Sequence, residues 1–552
     1  MLRISELRLP LDHDEVDLVS ALCRILGVAK TDILRWTIDR RGNDARRRSA
    51  VKLVYTINVE VRNEQAVLRQ IDPQRVSLAP DTAYQFVAKA PRGCVSRPII
   101  VGCGPCGLFA ALTLAQMGFR PIVIERGKVV RERTKDTWRL WRQGVFNPDS
   151  NAQFGEGGAG TFSDGKLYSG VKDPRHIKRK VLTELVAAGA PGEILYVSKP
   201  HIGTFRLVTV VENIRQTILE LGGEYRFETK VVDLDIRATR GERCLAGLVL
   251  ANGEEIAAEH VVLAMGHSAR DTFDTMVRCG VAMEKKPFSI GVRIEHPQSV
   301  IDRARFGSNA GHPLIGAADY KLVYHGSKGR SVYSFCMCPG GRVVAATSEP
   351  GCVVINGMSQ YSRAEFNANA GIVVGVELQD FPGDVLAGVE FQRHWERRAF
   401  AAGGGTYAAP AQRVADFLIG RASMAIGTVL PSYRPGVVPA DLATCLPDFV
   451  VAAIRQALPT FARQIPGFAE DDVIMTGVET RTSSPIRLTR DATYQSPSVR
   501  GLFPAGEGAG YAGGIMSAAI DGIQVAEAVA LAVTGGERRL DATREEAGGV
   551  YG

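Results

Sequence analysis

The chain has 552 residues, a length that predicts two or three domains rather than a single core. Hydrophobic residues make up 45% and charged residues 23%, proportions that exclude a mainly disordered chain. The 59 glycines fall in blocks without a period, which excludes collagen-like repeats, and the net charge of +7 is compatible with nucleotide ligands without requiring nucleic acid.

Residues 1–92 are predicted to form a small α+β domain of ferredoxin-like type. Strands are expected at 2–9, 32–39 and 51–61, with helical spacing of apolar residues between the first two. Five arginines lie around the second connection, and they fit either an anion or RNA patch or a solvated hairpin tip: Arg40, Arg41, Arg46, Arg47 and Arg48. The hairpin tip is favoured, because blocks of like charge usually lie in solvent.

A dinucleotide-binding fingerprint opens the second predicted domain, residues 93–290. An apolar strand at 98–101 precedes a loop, and an apolar helix to about residue 117 follows it. The loop holds the candidate cofactor contacts Gly102, Gly104, Pro105 and Gly107. The glycines allow a tight turn, the approach of a pyrophosphate and close packing of helix on strand, and the helix directs free N–H groups at the phosphates.

The acidic residue that this fingerprint requires is Glu125, at the end of a predicted second strand, 121–125. A carboxylate there is expected to accept hydrogen bonds from ribose hydroxyls and disfavours the 2′-phosphate of NADP. Arg126 follows it and is a further candidate cofactor contact.

A second glycine-rich block lies at residues 153–167, with five glycines within eleven residues. Backbone of this kind is expected to pack against a flat ligand. The candidate cofactor contacts in it are Gly157, Gly158, Thr161 and Ser163. Asp164 and Lys166 follow them and are candidate catalytic residues.

The rest of the second domain is predicted as alternating helix and strands. A helix is expected at 210–221, and a strand at 225–234 carries the candidate cofactor contact Val232. An apolar strand at 260–264 leads to Gly266, another candidate contact. Residues 291–480 are less regular in pattern and are predicted to form a mixed α+β substrate or cap domain.

The last predicted segment, residues 481–552, returns to the α/β core. A hydrophobic run leads to Gly506 and Glu507, and a long helix begins after Gly513, Gly514 and Ile515. This order resembles the glutathione-reductase-type FAD fold. The resemblance implies that the acid binds the ribityl chain and that the helix points its N-terminus at the N1–O2 edge of the flavin. That fold usually has Asp where Glu507 stands.

Three blocks together resemble the family of uncharacterised bacterial FAD-dependent dehydrogenases: residues 153–167, 335–341 and 506–522. The resemblance implies a small N-terminal domain, an FAD-dependent C-terminal region and FAD as the cofactor, without naming a substrate. The flavin ring then becomes the expected partner of the glycine-rich block. Lys166 would stabilise the flavin anion or act as an acid, or else it only packs on carbonyls and solvent.

Other polar residues have two interpretations each. Arg293, a candidate catalytic residue, and His296 fit either recognition of an anionic substrate or an ordinary β ladder. Cys336 and Cys338 are separated by one residue on a predicted strand, so their thiols are expected on opposite faces as buried small side chains unless the chain turns there. Cys103 and Cys106 fit either a redox pair or variable positions of the phosphate loop, and the second is favoured because the fingerprint explains their spacing. The nine histidines show no metal spacing, so no metal is predicted.

These observations favour an FAD-dependent oxidoreductase that exchanges hydride between flavin N5 and a small organic substrate, with NAD(P)H as a possible external donor. No second fingerprint and no CxxxxC pair is found, which argues against disulfide reduction. The alternatives are an FAD-dependent RNA-modifying enzyme and a flavin-binding redox partner without turnover. Nucleic acid and membrane are unfavoured partners, and an N-terminus without an apolar segment predicts a cytoplasmic location.

Overall fold

The computed structural model describes residues 1–326 and 329–536, so the end of the predicted segment 481–552 lies outside the described residues. The described residues form an α/β protein. They contain a four-stranded antiparallel sheet, a five-stranded parallel sheet, two small antiparallel sheets and a large eight-stranded sheet. Separate apolar clusters underlie the four-stranded, parallel and large sheets.

The first unit is a four-stranded sheet with two helices. Its elements are β1 (Leu2–Pro10), α1 (Glu15–Leu26), β2 (Ile33–Asp44), β3 (Lys52–Val61), α2 (Glu64–Gln70) and β4 (Val76–Leu78). The strand order is β2-β3-β1-β4, and every pairing is antiparallel. β2 is longer than the sequence predicted, so Arg40 and Arg41 lie in the strand and only residues 45–51 form the turn.

The second unit contains the parallel sheet, whose order is β22-β11-β5-β6-β7. Its elements up to residue 278 are β5 (Ile99–Val101), α3 (Pro105–Gln116), β6 (Ile122–Ile124), α4 (Val130–Gln143), α5 (Ile177–Ala187), α6 (Thr204–Glu220), β7 (Glu224–Arg226), β8 (Val231–Thr239), β9 (Glu242–Leu250), β10 (Glu255–Ala257), β11 (Val261–Leu263) and α7 (Arg270–Arg278). The strand–turn–helix predicted around residue 102 is confirmed.

The single strand predicted at 225–234 is wrong. The chain forms β7 at the edge of the parallel sheet, turns, and then forms β8 in the separate sheet β10-β9-β8. Glu228 adopts φ +51° in this turn, a conformation that interrupts a strand. The sequence could not reveal the interruption, because it follows from the pairing of the two halves with different neighbouring strands.

The remaining elements build the large sheet and complete the parallel one. They are β12 (Met283–Lys285), β13 (Phe288–Pro297), α8 (Gln298–Phe306), β14 (Val323–His325), β15 (Ser331–Ala345), β16 (Ile355–Ser359), β17 (Asn367–Val376), α9 (Ala387–Ala402), β18 (Ala409–Arg413), α10 (Val414–Ile419), β19 (Val437–Pro439), α11 (Asp448–Gln464), β20 (Ile474–Glu479), β21 (Ile486–Leu488), β22 (Leu502–Pro504) and α12 (Ile515–Thr534). The large sheet runs β14-β15-β17-β13-β20-β18-β19, with β16 beside β15. Residues 291–480 are thus more regular than their sequence suggested.

Within the described part of the chain, α12 is the one helix with the length and mean hydropathy of a membrane span. However, 72% of its most apolar window is buried inside the protein. It packs closely on α3, where a Cβ on Gly522 would lie 2.2 Å from the carbonyl oxygen of Cys106. These contacts make α12 a core helix that lies behind the carboxyl edge of the parallel sheet.

Candidate functional site at the carboxyl edge of the parallel sheet

Four neighbouring parallel strands end at one edge, and a predicted site residue follows each of them. Glu125 comes directly after β6, Gly102 after β5, Gly266 shortly after β11 and Gly506 shortly after β22. The chain runs outward from β5 to β6 and β7 and later returns to β11 on the other side of β5, so the strand order reverses there. Ligands of α/β proteins bind in the crevice at such a point. The edge is therefore the candidate site.

The three fingerprint glycines have different surroundings. A Cβ on Gly102 would lie 2.4 Å from a backbone oxygen of the neighbouring turn, and one on Gly107 would lie 1.9 Å from the Gly102 oxygen. Both positions are therefore closed by the protein itself. Gly104 has only the Cα of Gly158 at 3.8 Å, so its surface is open to a ligand. Pro105 begins α3 beside it.

Glu125 is buried and joins three backbone segments. Its Oε2 accepts a hydrogen bond from the N–H of Cys103 at 2.8 Å, and its Oε1 accepts from those of Gly127 at 2.9 Å and Gly155 at 3.0 Å. A carboxylate offers about four acceptor positions, so at least one stays available to a ribose hydroxyl. The residue thus organises the turn in addition to the role predicted for it.

Arg126 and Val232 both lie against α7. The guanidinium of Arg126 donates to Asp271 at 2.8 and 3.1 Å and stacks 4.4 Å above the ring of Phe154. The carbonyl of Val232 accepts from the hydroxyl of Thr275 at 3.2 Å. These contacts place both residues near the Glu125 end of the edge.

The glycine-rich block lies directly on the fingerprint loop. Gly158 adopts φ +59°, and a Cβ there would lie 2.7 Å from the Cα of Gly104. A Cβ on Gly160 would lie 3.1 Å from Ile515, the first residue of α12. Gly157, at φ +84°, donates its N–H to the carbonyl of Cys103 at 2.8 Å. The block therefore brings the N-terminal ends of α3 and α12 together.

Thr161 and Ser163 hold the shape of this block. The carbonyl of Thr161 accepts from the hydroxyl of Thr204 at 2.7 Å. The hydroxyl of Ser163 donates to the carbonyl of Gly160 at 2.7 Å and accepts from the N–H of Gly165 at 3.0 Å. Both hydroxyl-bearing residues thus already have partners in the protein.

Arg133 of α4 is a supporting residue that the sequence reasoning missed. It is fully buried, and its guanidinium donates to the carbonyls of Asn151, Ala152 and Glu156 at 2.7–3.0 Å. Burial lowers its pKa to about 10. The sequence shows no sign that this arginine points inward, because most other charged residues of the helix are exposed.

The late motif pairs Glu507 with a second missed residue, His267. The Oε1 of Glu507 lies 3.3 Å from the Nδ1 of His267, which follows Gly266. The Nε2 of His267 is buried and has no hydrogen-bond partner among the described residues. A buried polar atom without a partner is costly, so this nitrogen is a candidate contact for a ligand. The sequence feature that could have indicated His267 is its position shortly after a predicted buried strand.

The start of α12 is open. No atom of the described residues would lie within 4 Å of a Cβ on Gly513 or Gly514, and both glycines are exposed. No side chain caps the helix N-terminus at Gly514. The first N–H groups of Ile515 and the residues after it are thus accessible, and the helix dipole favours an anionic group there.

Comparison with known proteins identifies the family. Residues 96–286 match the model of pyridine nucleotide-disulphide oxidoreductases, residues 287–482 match that of the FAD-dependent protein C-terminal domain, and residues 1–60 match a domain of unknown function. An uncharacterized protein of Clostridium beijerinckii is 47% identical over 528 residues, which are 95% of this chain and 98% of that protein. The chain belongs to this family of FAD-dependent oxidoreductases. Its cofactor is FAD.

Solved structures give weaker likenesses. A flavoprotein/dehydrogenase from Cytophaga hutchinsonii is 12% identical, with 80% of this chain and 79% of that one covered and a TM-score of 0.35. Glycine oxidase from Geobacillus kaustophilus is 14% identical, with 81% and 96% covered and a TM-score of 0.33. Scores this low add nothing to the family match.

The residues at the edge fit FAD. At Gly266, Gly513 and Gly514 a Cβ would meet no atom of the described residues within 4 Å, and at Gly104 it would meet one carbon at 3.8 Å, so the backbone at these positions is open to a ligand. The unpartnered Nε2 of His267 lies within the same stretch. Glycine backbone, helix N-termini and a carboxylate are the groups that flavin dinucleotide sites use.

The three predicted catalytic residues meet in one buried polar cluster beside the glycine-rich block. Asp164 Oδ2 lies 3.4 Å from Lys166 Nζ and 2.5 Å from Arg363 Nη2. Burial opposes the charge of Asp164, but the two cations together lower its pKa to about 2. Asp164 is therefore an anion at neutral pH.

Lys166 is an ammonium within this cluster. Its Nζ donates to the carbonyl of Met337, the residue between the two cysteines of β15. Burial works against its charge, but Cys338, Cys336 and Asp164 raise its pKa above the usual range of lysine. A lysine that stays protonated is a source of positive charge and a poor proton donor.

Arg293 completes the cluster from β13. It is fully buried, lies 2.8 Å from Glu479 Oε2 through its Nε, and donates from Nη1 to Asn369 at 2.6 Å and to the Cys336 carbonyl at 3.2 Å. Burial raises the pKa of Glu479 to about 7, although Arg293 opposes the rise. His296, by contrast, is a core residue whose Nε2–H donates to the Phe468 carbonyl.

The chain turns at Cys336 and Cys338, the condition under which their side chains were not expected to alternate. Cys336 adopts φ +42°, and the pairing of β15 with β17 shifts between Phe335 and Cys338. The thiol of Cys338 donates to the carbonyl of Cys336 at 3.3 Å. The bulge therefore brings the Cys338 thiol onto the Cys336 peptide and ends the alternation of a regular strand.

One group of possible metal ligands occurs in the described part of the chain: Glu349, Cys352 and Glu396. Arginines already neutralise its two carboxylates, since Arg393 pairs with Glu349 and Arg270 with both acids. These three residues are therefore part of an ion-pair network. That the protein binds no metal stays a prediction.

Proposed function

We propose that the protein is an enzyme that exchanges hydride between flavin N5 and a small organic substrate, with NAD(P)H as external donor. The observation that supports the proposal best is the position of the Asp164–Lys166 cluster, directly after the block that bridges α3 and α12. Bound FAD supplies a two-electron hydride acceptor and donor. The residues of the chain supply binding, orientation and charge.

The cofactor contacts follow the edge from β6 to α12, as in the glutathione-reductase-type fold. We assign the ribose to Glu125, the pyrophosphate to the open backbone at Gly104 and the start of α3, and the flavin end to Glu507 and the start of α12. The contacts of Arg126 and Val232 beside α7 support an adenine-side role for both. The carbonyl of Thr161 and the hydroxyl of Ser163 serve to shape the loop.

The charge of Lys166 suits a substrate or cofactor that gains electrons. Its ammonium is held by Asp164 and by the Met337 carbonyl, so it is oriented before any ligand binds. Pre-oriented charge stabilises a developing anion without reorganisation at the moment of reaction. This supports the first of the roles considered for Lys166 and weakens its role as an acid.

The domain arrangement is also part of the proposal. The order β-α-β-β-α-β and the strand order β2-β3-β1-β4 support a ferredoxin-like unit within residues 1–92. The return of β22 to the parallel sheet supports the bounds 93–290, 291–480 and 481–552, but the boundary at 290/291 falls inside β13 of the large sheet. Arg46 of the basic turn pairs with Asp44 at the end of β2 and is mostly exposed, which supports the solvated hairpin tip over an RNA patch.

Anaerobic reduction of the flavin tests the proposal. We expect NADPH or NADH to bleach the visible flavin band, and a deuterium at the transferred position to slow the bleaching as direct hydride transfer requires. Lys166→Met should lower the rate constant of reduction by about 100-fold, as loss of one oriented stabilising group does elsewhere, and should keep bound FAD. Stopped-flow absorbance measures both values.

Lys135→Met is the matched control, because Lys135 is exposed on α4 and pairs only with Glu132 in its own helix. It should reduce at the wild-type rate. Hydride exchange would be contradicted if dithionite bleached the flavin but NADPH, NADH and a panel of small hydroxy and amino acids did not. Wild-type reduction in Lys166→Met would contradict the role of Lys166 alone.

A further inference from the structure

Cys336 and Cys338 are close together because of an irregularity in β15. Phe335 is opposite Gly371 and Cys338 is opposite Asn369, so β15 uses one residue more than β17 over this stretch. The extra residue forms a bulge, and the φ of +42° at Cys336 is uncommon for a residue with a side chain. Conformations of this kind persist where the surrounding structure holds them, and they cluster at functional sites.

Two cations hold the peptide of this bulge. Lys166 Nζ donates to the Met337 carbonyl, between the cysteines. Arg293 Nη1 donates to the Cys336 carbonyl at 3.2 Å and lies 4.0 Å from Cys338 Sγ. Cations near a thiol stabilise the thiolate, which is the reactive form of cysteine.

The charges near the two thiols differ in their effects. A hydrogen bond from Cys338 lowers the pKa of Cys336 well below its usual range; burial opposes this, while Lys166 and Arg293 add to it. The same hydrogen bond raises the pKa of Cys338 well above its usual range, and burial adds to the rise. Asp164 raises the pKa of Cys336 without reversing its direction. These charges favour the thiolate at Cys336 and the thiol at Cys338.

Exposure separates the two residues in the same way. Cys336 is a partly exposed residue, whereas Cys338 is fully buried. A thiolate on the more exposed of two neighbouring cysteines, with a protonated thiol on the buried one, is the arrangement of an attacking and a resolving cysteine. The CxxC of the fingerprint loop differs, because Cys103 and Cys106 are both buried and burial raises the pKa of each well above its usual range.

We propose that Cys336 and Cys338 form a redox-active dithiol that a small-molecule disulfide oxidises to an intramolecular disulfide. The Cys336 thiolate attacks one sulfur of the disulfide RSSR, forming a mixed disulfide and releasing RS⁻. The Cys338 thiol then loses its proton to the released thiolate and attacks the Cys336 sulfur, forming the Cys336–Cys338 bond and releasing the second RS⁻. One dithiol is oxidised and one RSSR is reduced to two thiols. The proposal does not rest on hydride exchange at the flavin.

Trapping of the cysteines in the FAD-loaded protein tests this proposal. The protein is reduced with dithiothreitol, desalted, treated with oxidised glutathione at neutral pH, quenched in acid and labelled with N-ethylmaleimide in denaturant. We expect the peptide that holds residues 336 and 338 to lose both labels and two hydrogen masses. The peptide that holds Cys103 and Cys106 should keep both of its labels and serves as the internal control.

Two variants separate the attacking from the resolving cysteine. Cys338→Ser should accumulate a glutathione adduct on Cys336, since the second step is lost. Cys336→Ser should show neither adduct nor disulfide at Cys338. The flavin absorbance of each variant reports that it has folded. Full labelling of both cysteines in the wild type, or an adduct on Cys338 in Cys336→Ser, would overturn the proposal.

Discussion

Gly104 allows a test at the scale of one residue, because its conformation is ordinary and its space is open. Its φ is −75°, and a Cβ would meet one carbon atom at 3.8 Å. Gly104→Val should therefore cost the protein only about 1 kcal/mol, the cost of a poor residue at a helix N-cap, while the branched side chain fills the space of the pyrophosphate. We expect FAD affinity to fall at least about 100-fold, a loss of about 3 kcal/mol, in a fluorescence titration.

Gly107→Val is the contrasting variant. A Cβ at Gly107 would lie 1.9 Å from the carbonyl oxygen of Gly102, so this substitution must move α3 away from β5. It should lower the melting temperature of the FAD-free protein, which Gly104→Val should change by no more than about 4 °C. Retained FAD affinity in a folded Gly104→Val protein would contradict the assignment of the pyrophosphate.

The same residues show what local pattern can predict. Gly102, Gly104 and Gly107 act within one strand–turn–helix unit, so their spacing alone predicted the unit that the structure contains. The positions of His267 and Arg133 depend on which distant carboxylate or carbonyl they meet, Glu507 for the first and Glu156 for the second. The spacing of residues along a single sequence does not encode these long-range contacts.

At the scale of elements, β13 is the central strand of the large sheet, and the histidine in it was a candidate for substrate binding. His296 is instead fully buried, with Nε2 2.7 Å from the Phe468 carbonyl and its ring 4.6 Å from the Phe468 ring. Burial lowers its pKa from 6.5 to about 4. The folded protein therefore holds this ring neutral.

This burial makes stability depend on pH with a definite sign. Between pH 6.5 and about 4 the unfolded chain binds a proton at His296 that the folded chain does not, so acid favours unfolding. Protonation of His296 in the unfolded chain should lower the free energy of unfolding by roughly 3 kcal/mol as pH falls from 7 to 4. His296→Gln keeps a donor for the carbonyl and cannot titrate, so urea unfolding of this variant should depend less on pH. Equal pH slopes for both proteins would contradict this explanation.

The bulge in β15 shows why element-scale prediction stops short. Residues 331–345 form one strand in the structure, and regular alternation along it would separate Cys336 from Cys338. The extra residue exists only relative to β17, because register is a property of the pair. A sequence pattern therefore predicted the strand and could not predict that its two thiols meet.

At the scale of the whole molecule, the parallel sheet and the large sheet are joined by a buried network centred on Glu396. This acid of α9 accepts from Arg270 of α7 at 2.7 and 2.8 Å and from Arg481, after β20, at 3.0 and 3.1 Å. Burial opposes its charge, but the two arginines hold its pKa well below the usual range. The network lies between units that the sequence showed only as separate patterns.

Loss of this charge should therefore weaken the contact between the two sheets. Glu396→Gln leaves two buried guanidinium groups without their shared partner, and removing one member of a buried ion pair costs about 3–5 kcal/mol. We expect the midpoint of urea unfolding, followed by the fluorescence of the neighbouring Trp395, to fall accordingly. Glu390→Gln on the same helix is the control, because Glu390 is exposed and should contribute under about 1 kcal/mol. If the two variants unfold alike, the network does not stabilise the junction, and packing of α9 alone must hold the sheets together.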